Sequence, residues 1–186
     1  MNKGIELKTS DDVPGPTKEE IRCLVMCKSL VDKDDVVLEI GSGSGGLTVE
    51  FALKAGKVYS IDKNPQAINL TLKNLELNQV IKKVEMFHGD ALQEMDKIPN
   101  FDILMVGGSS GDLTPILEKG FSKLNEGGRI IITAILIETR AEAIKSLQKI
   151  GLKPSIIDVS ISKGKIIERG SMMYAQNPVA IIYAYK

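Results

Sequence analysis

The segment Glu39-Ile40-Gly41-Ser42-Gly43-Ser44-Gly45-Gly46 constrains the fold of this chain more than any other. The run before it, Val36-Val37-Leu38-Glu39-Ile40, is short, mostly apolar and halted by glycine, as a buried parallel strand would be. Residues 47–55 after it have helical character. A glycine-rich turn between a strand and a helix lets backbone approach a ligand and aims the helix's free N–H groups at it. Asp62 closes the next predicted strand, 57–61, about 20 residues on, where a carboxylate can accept both hydroxyls of a ribose. Gly41-x-Gly43-x-x-Gly46 equally satisfies the dinucleotide fingerprint, so the loop alone leaves the nucleotide open.

Strand and helix alternate along the rest of the chain. Asn64 caps a helix with Pro65 at its first position, and Ile68, Leu72 and Leu75 share one face. Residues 83–87 and 101–106 are predicted as the third and fourth strands. Residues 113–124 form a helix ended by Gly127-Gly128, and 129–135 the fifth strand. Thr139-x-x-Glu142 is a capping box opening a helix that ends at Gly151. Residues 154–162 and 179–185 read as strands without a helix between them, hence antiparallel, leaving 163–176 as a long loop. Such alternation builds a doubly wound α/β sheet. A mostly parallel, Rossmann-like sheet with a C-terminal antiparallel hairpin is typical of class I S-adenosylmethionine-dependent methyltransferases. The length of 186 residues and 43% hydrophobic content predict one domain over 1–186.

Two features favour S-adenosylmethionine over NAD. Glu39, two residues before the first glycine, recurs in methyltransferases, where it supports the loop around the methionine end. Gly89-Asp90-Ala91 comes after the third strand, where the adenine edge lies in that fold, although a Gly-Asp turn after a strand is commonplace. The candidate cofactor residues are accordingly Gly41, Ser42, Gly43, Ser44, Gly45, Asp62, Asp90 and Ala91.

Composition removes other classes. Lys+Arg and Asp+Glu both number 24, which argues against a nucleic-acid-coating protein, and the absence of Trp leaves few stacking platforms. The apolar stretch 130–137 falls short of the about 20 residues a membrane span needs. The first residues lack an apolar export segment, so the cytoplasm is expected. Cys23 and Cys27, four apart on a predicted helix, suit neither a disulfide nor by themselves a metal, and are expected to pack as small apolar residues. With His88 the sole histidine, no metal site and no histidine-based catalysis are expected.

The loop after the fourth strand, Gly107-Gly108-Ser109-Ser110-Gly111-Asp112, constrains the acceptor. Enzymes that methylate exocyclic amines or glutamine amides carry an Asn/Asp-Pro-Pro-aromatic motif there. Here the glycines leave open space beside the transferring methyl. Asn177-Pro178-Val179 opens the last strand and lacks the second proline and the aromatic.

Val13-Pro14-Gly15-Pro16-Thr17-Lys18-Glu19-Glu20-Ile21-Arg22 resembles the "PMTKEEVR" segment of the cobalamin-pathway precorrin methyltransferases that act at carbon 15 and decarboxylate. That family typically carries "DIGAGTGS", "IGGSGG" after the fourth strand and "NAVTLET" on the fifth. This chain offers Glu39-Ile40-Gly41-Ser42-Gly43-Ser44-Gly45-Gly46, Val106-Gly107-Gly108-Ser109-Ser110-Gly111 and Thr133-Ala134-Ile135-Leu136-Ile137-Glu138-Thr139. The resemblance covers essentially the whole chain, and the stand-alone form, not the one fused to a second methyltransferase, is expected. Gly15, Ser44, Thr133 and the Ile135-Leu136 pair depart from the pattern, and the last two remove an asparagine and a threonine from the fifth strand.

The resemblance implies methylation of carbon 15 of cobalt-precorrin-6B with loss of the ring C acetate carboxyl, and S-adenosylmethionine as cofactor. It further implies a tetrapyrrole partner whose cobalt arrives within the substrate, a homotetramer, and Thr17 as a lid over the methionine end. Thr17-x-x-Glu20 is also a capping box, worth about 1 kcal/mol. Gly107, Gly108, Glu138, Thr139 and Arg140 are the candidate substrate residues, with Arg140 as the carboxylate partner. No residue is assigned to catalysis. The loop 163–176, with Met172-Met173-Tyr174, offers an apolar surface for self-association. The competing readings are a class I methyltransferase acting on tRNA or a protein carboxylate, and a nucleotide-binding oxidoreductase or cofactor sensor. No His or Tyr–Lys pairing stands out for hydride transfer.

Overall fold

The computed structural model describes residues 4–186. Alternating apolar side chains set its layers. Val37 of β1 (Val36–Ile40), Ile103 of β4 (Phe101–Val106) and Ile131 of β5 (Leu124–Ala134) pack on one side of the sheet. Leu38, Leu104 and Ile130 pack on the other. All six are fully buried, as strands covered by helices on both faces must be. Helices α1 (Glu19–Ser29), α2 (Gly46–Lys54) and α3 (Pro65–Leu77) supply Ile21, Val25, Phe51 and Leu75 to the first layer. The short α4 (Ala91–Glu94), α5 (Leu113–Lys123) and α6 (Ile137–Lys149) cover the second, with Ile116, Leu117 and Leu147.

The sheet runs β3-β2-β1-β4-β5-β9-β6, adding β2 (Lys57–Asp62), β3 (Val84–His88), β6 (Ser155–Val159) and β9 (Val179–Tyr185). Strands β1 to β5 are parallel. The last strand inserts antiparallel between β5 and β6, so the two C-terminal strands pair with each other as expected. Because β2 and β3 build out on one side of β1 and β4 and β5 on the other, the topology switches between β1 and β4. Open α/β sheets bind ligands at the carboxyl ends of the strands at such a point.

Several local expectations are corrected. The inward face of α3 is Ala67, Leu70, Thr71, Asn74 and Leu75, with Ile68 and Leu72 only half-buried. Thr71 and Asn74 find hydrogen-bond partners inside, so apolar spacing alone mis-set the face. Neither capping box forms. Lys18 is the N-cap of α1 without a side-chain bond, and Glu20 instead meets Lys163 at 2.9 Å. Helix α6 begins at Ile137, ahead of Thr139, and Glu142 accepts hydrogen bonds from the Thr114 N–H (3.1 Å) and hydroxyl (2.9 Å) of α5. Strand β5 starts at Leu124, with Gly127 at φ +73° and a register shift between Phe101 and Ile103.

The predicted loop 163–176 is a second, two-stranded sheet of β7 (Ser162–Ile167) and β8 (Gly170–Ala175), exposed on both faces. Cys23 and Cys27 are exposed free thiols, since Ile21, Val25 and Met26 turn the other side of α1 inward.

Two polar devices fasten the layers. Arg129 donates to the Ser29 (2.8 Å) and Leu30 (3.0 Å) carbonyls at the end of α1 and pairs with both carboxylate oxygens of Asp35. It therefore caps α1, whose Leu30 turns left-handed at φ 49°, and ties it to the sheet. On α3, Asn78 clamps both backbone groups of Glu6, while Asn74 clamps those of Lys8.

Candidate functional site

A cavity of about 910 Å³ opens over the carboxyl ends of the central strands. Its floor is made of backbone that must come unusually close. Gly41, at φ +84°, donates to the Ile61 carbonyl at 2.8 Å, and Gly107 donates to the Ile40 carbonyl at 2.9 Å. A Cβ on Gly41 would lie 2.9 Å from the Gly108 nitrogen. The ends of β1 and β4 thus approach backbone to backbone, leaving the space above them for a ligand.

The glycine loop is held from two sides. Asp62 accepts from the Gly43 N–H (3.0 Å) and the Ser42 hydroxyl (3.2 Å) with one oxygen, and from the Asn64 N–H (2.9 Å) with the other. From α3, the Thr71 hydroxyl donates to the Gly43 carbonyl (3.2 Å) and the Asn74 amide to the Ser44 carbonyl (2.8 Å). Asp90 uses one oxygen to cap α4 through the Leu92 (3.0 Å) and Gln93 (3.2 Å) N–H groups. Its second oxygen has no hydrogen-bond partner among the described residues and can take a donor from a ligand.

Glu39 lies under the loop, where burial pushes its carboxyl up to about 7 despite hydrogen bonds from Thr48 (2.6 Å) and Ser60 (2.7 Å). A carboxyl raised in the folded state keeps a proton that the unfolded chain releases. Folding stability should therefore fall as pH rises from 4.5 to about 7 and level off above, by on the order of 3 kcal/mol from this group. Glu39→Gln retains an acceptor for both hydroxyls and should remove that slope. Urea unfolding of both proteins across this window checks it; parallel pH profiles would contradict it.

The cavity wall is closed by the segment preceding α1. Pro14, Gly15, Pro16, Thr17 and Lys18 line it, with Gln176 and Asn177 opposite. Arg22, nearly buried, donates to the Thr17 carbonyl at 2.6 Å and pairs with Glu50 of α2 at 3.2 Å, fixing this segment over the loop. Lys18 joins the two rims by donating to the Asn177 carbonyl at 3.0 Å.

Of the sequence candidates, Thr17, Gly41, Ser42, Gly43, Ser44, Asp62, Asp90, Ala91, Gly107, Gly108 and Thr139 line this one cavity. Three do not. Gly45 caps α2 at φ +81° against Thr71, whose Cγ2 a Cβ would approach to 2.9 Å. Glu138 lines a separate shallow groove between α5 and α6. Arg140 is held at the sheet edge, where Asp158 (3.1 Å) and the Pro178 carbonyl (3.3 Å) fasten α6 to β6 and to the residue just ahead of β9. Sequence reasoning missed Lys18, Asn64, Gln176 and the anchoring roles of Arg22 and Asn74. His88 is exposed, and no group of three potential metal ligands occurs among the described residues.

The sheet order, the antiparallel β9 and the ligand cavity at the β1/β4 switch define a class I methyltransferase fold. Residues 13–186 match the profile of the precorrin methyltransferase domain. A Methanobrevibacter smithii protein named "Probable cobalt-precorrin-6B C(15)-methyltransferase (decarboxylating)" is 49% identical over 175 residues, 94% of each chain. The crystal structure of precorrin 8W decarboxylase from Methanobacterium thermoautotrophicum superposes with a TM-score of 0.94 at 44% identity, covering 96% of each chain. That of precorrin-6y C5,15-methyltransferase from Geobacter metallireducens gives 0.90 at 27% identity, over 97% of this chain and 95% of that one. The chain belongs to the precorrin methyltransferase family. Among the described residues, no helix is long and apolar enough to cross a membrane.

Proposed function

We propose that this protein is a methyltransferase of cobalamin biosynthesis that uses S-adenosylmethionine. It methylates carbon 15 of cobalt-precorrin-6B and decarboxylates the ring C acetate. The observation that carries the reading is a single cavity continuous from Asp90 and Asp62 to Thr133 and Leu136. Its about 910 Å³ lies at the upper end of the range for one ligand, as a site for two reactants requires.

The donor set fits the three parts of S-adenosylmethionine. Asp62 would receive a ribose hydroxyl on the oxygen that accepts from Asn64 alone, since the Gly43 N–H and the Ser42 hydroxyl occupy the other. The Asp90 carboxylate and Ala91 N–H face the adenine edge. Gly41, Ser42, Gly43 and Ser44 line the methionine end, under Thr17 and the Arg22-anchored segment. When bound, the cofactor supplies an electrophilic methyl on a sulfonium, and the carbon–sulfur bond breaks as the bond to carbon 15 forms. Gly107 and Gly108 leave the methyl's path unobstructed, and the roof from Pro14 to Lys18 excludes water. Positioning and desolvation then supply most of the rate. Carbon dioxide leaves the acetate as the electron pair of the broken carbon–carbon bond passes into the conjugated ring, and a proton taken up from solvent completes the methyl group left behind, so no side-chain nucleophile and no protein-bound metal are required.

The reading further assigns one domain to residues 1–186, a cytoplasmic location and a homo-oligomer, with a tetramer as the form proposed. The exposed Ile166, Met172, Met173 and Tyr174 on the β7–β8 hairpin support self-association. The test is incubation with S-adenosylmethionine and cobalt-precorrin-6B, with products read by mass. A methyl gained with carbon dioxide lost is expected. Unchanged substrate from protein that still binds S-adenosylhomocysteine would overturn the acceptor.

A further inference from the structure

Three consecutive large aliphatic residues stand exposed where β5 ends: Ile135 at 59%, Leu136 at 63% and Ile137 at 74%. Runs of this kind on a protein surface are errors unless they have a use. The chain could have avoided this one. Leu136 is the N-cap of α6 and makes no side-chain cap bond, at a position where serine, threonine, aspartate or asparagine is strongly favoured. The helix forgoes its cap to keep an apolar side chain there.

The place of the ledge identifies its occupant. Ile135 and Leu136 belong to the wall of the cavity over the central strands, on the β4–β5 side of the switch point. The carboxylates proposed for the nucleoside, Asp62 and Asp90, belong to the end of β2 and to the turn after β3, on the other side. The ledge is thus at the acceptor's end of the cavity. Its companions there are hydroxyls and amides, Thr133, Thr139 and Gln176, with Lys18 as the cation. A broad apolar face edged by polar donors and one positive charge suits a flat, hydrocarbon-framed ring bearing peripheral carboxylates.

We propose that Ile135 and Leu136 are the platform on which the macrocycle lies, and that they position it for methyl transfer. The proposal rests on the functional reading above and names the residues that reading leaves unassigned. A structural role and a substrate role make opposite forecasts for Leu136→Ser, because serine restores a favoured helix cap while removing the apolar surface.

The experiment measures binding of cobalt-precorrin-6B to protein saturated with S-adenosylhomocysteine, so no turnover is involved. Leu136→Ser and Ile135→Ser should each weaken macrocycle binding by about tenfold. S-adenosylhomocysteine affinity and the oligomeric state by sedimentation should match wild type, and Leu136→Ser should melt no lower. Unaltered macrocycle affinity in both variants, with wild type binding, would overturn the platform alone. A changed oligomeric state would overturn it too, by showing that a second copy of the chain covers the ledge. Failure of the wild type itself to bind the macrocycle would overturn the functional reading and the platform together.

Discussion

Asp62→Ala should weaken S-adenosylhomocysteine binding by about a hundredfold or more, measured by calorimetry. Two effects combine. The ribose loses a carboxylate whose charge-assisted hydrogen bond is worth about 1.5–3 kcal/mol. The loop also loses its tether, because the Gly43 and Asn64 N–H groups and the Ser42 hydroxyl all donate to this one side chain. Asp62→Asn separates the contributions, since its one carbonyl oxygen can still accept from the loop while the charge is gone. Its binding should fall between wild type and the alanine variant. Equal affinity in all three proteins would show that the cofactor's ribose lies elsewhere.

Arg129→Ala should be strongly destabilising, by about 3–5 kcal/mol in urea unfolding. Arg129 and Asp35 are only 14% and 12% exposed at the side chain, so deleting one partner leaves the other charged in a poorly hydrated site. It also strands the Ser29 and Leu30 carbonyls at the end of α1. Against a total stability of about 5–15 kcal/mol this is a large fraction. Arg129→Lys should recover little, because an ammonium cannot serve two carbonyls and both carboxylate oxygens in the fork a guanidinium provides. A lysine variant as stable as wild type would contradict this account.

What the sequence disclosed and what it hid divide along physical lines. The strands β1 and β4 were legible as apolar runs closed by glycine, and β2 as a short Val58-Tyr59-Ser60-Ile61 stretch closed by Asp62, patterns local to each strand. The glycine loop and Asp62 were legible for the same reason: their spacing is imposed by one strand–turn–helix unit. The β7–β8 hairpin was hidden because it is exposed on both faces and so carries no alternation. Arg140 was misplaced because its surroundings are set by Asp158 of β6 and by Pro178 just ahead of β9, both later in the chain. Asn74 escaped notice because a polar residue on an amphipathic helix ordinarily marks the wet face, whereas here it satisfies Lys8 and Ser44 inside. Both capping boxes had the right letters at positions where the helices do not begin. Placing the helix starts required knowing where β5 ends and where Arg22 draws the segment before α1.

The central claim, that one cavity both methylates the macrocycle and removes its carboxyl, is tested most directly by a single reaction. Wild-type protein is mixed with S-adenosylmethionine and cobalt-precorrin-6B carrying an isotopic label in the ring C acetate carboxyl, and the products are weighed. The account predicts a macrocycle that has gained one methyl and lost the labelled carboxyl, and so is lighter than the substrate, with the label recovered as carbon dioxide. A methylated macrocycle that keeps its label, or labelled carbon dioxide without methyl transfer, would contradict it.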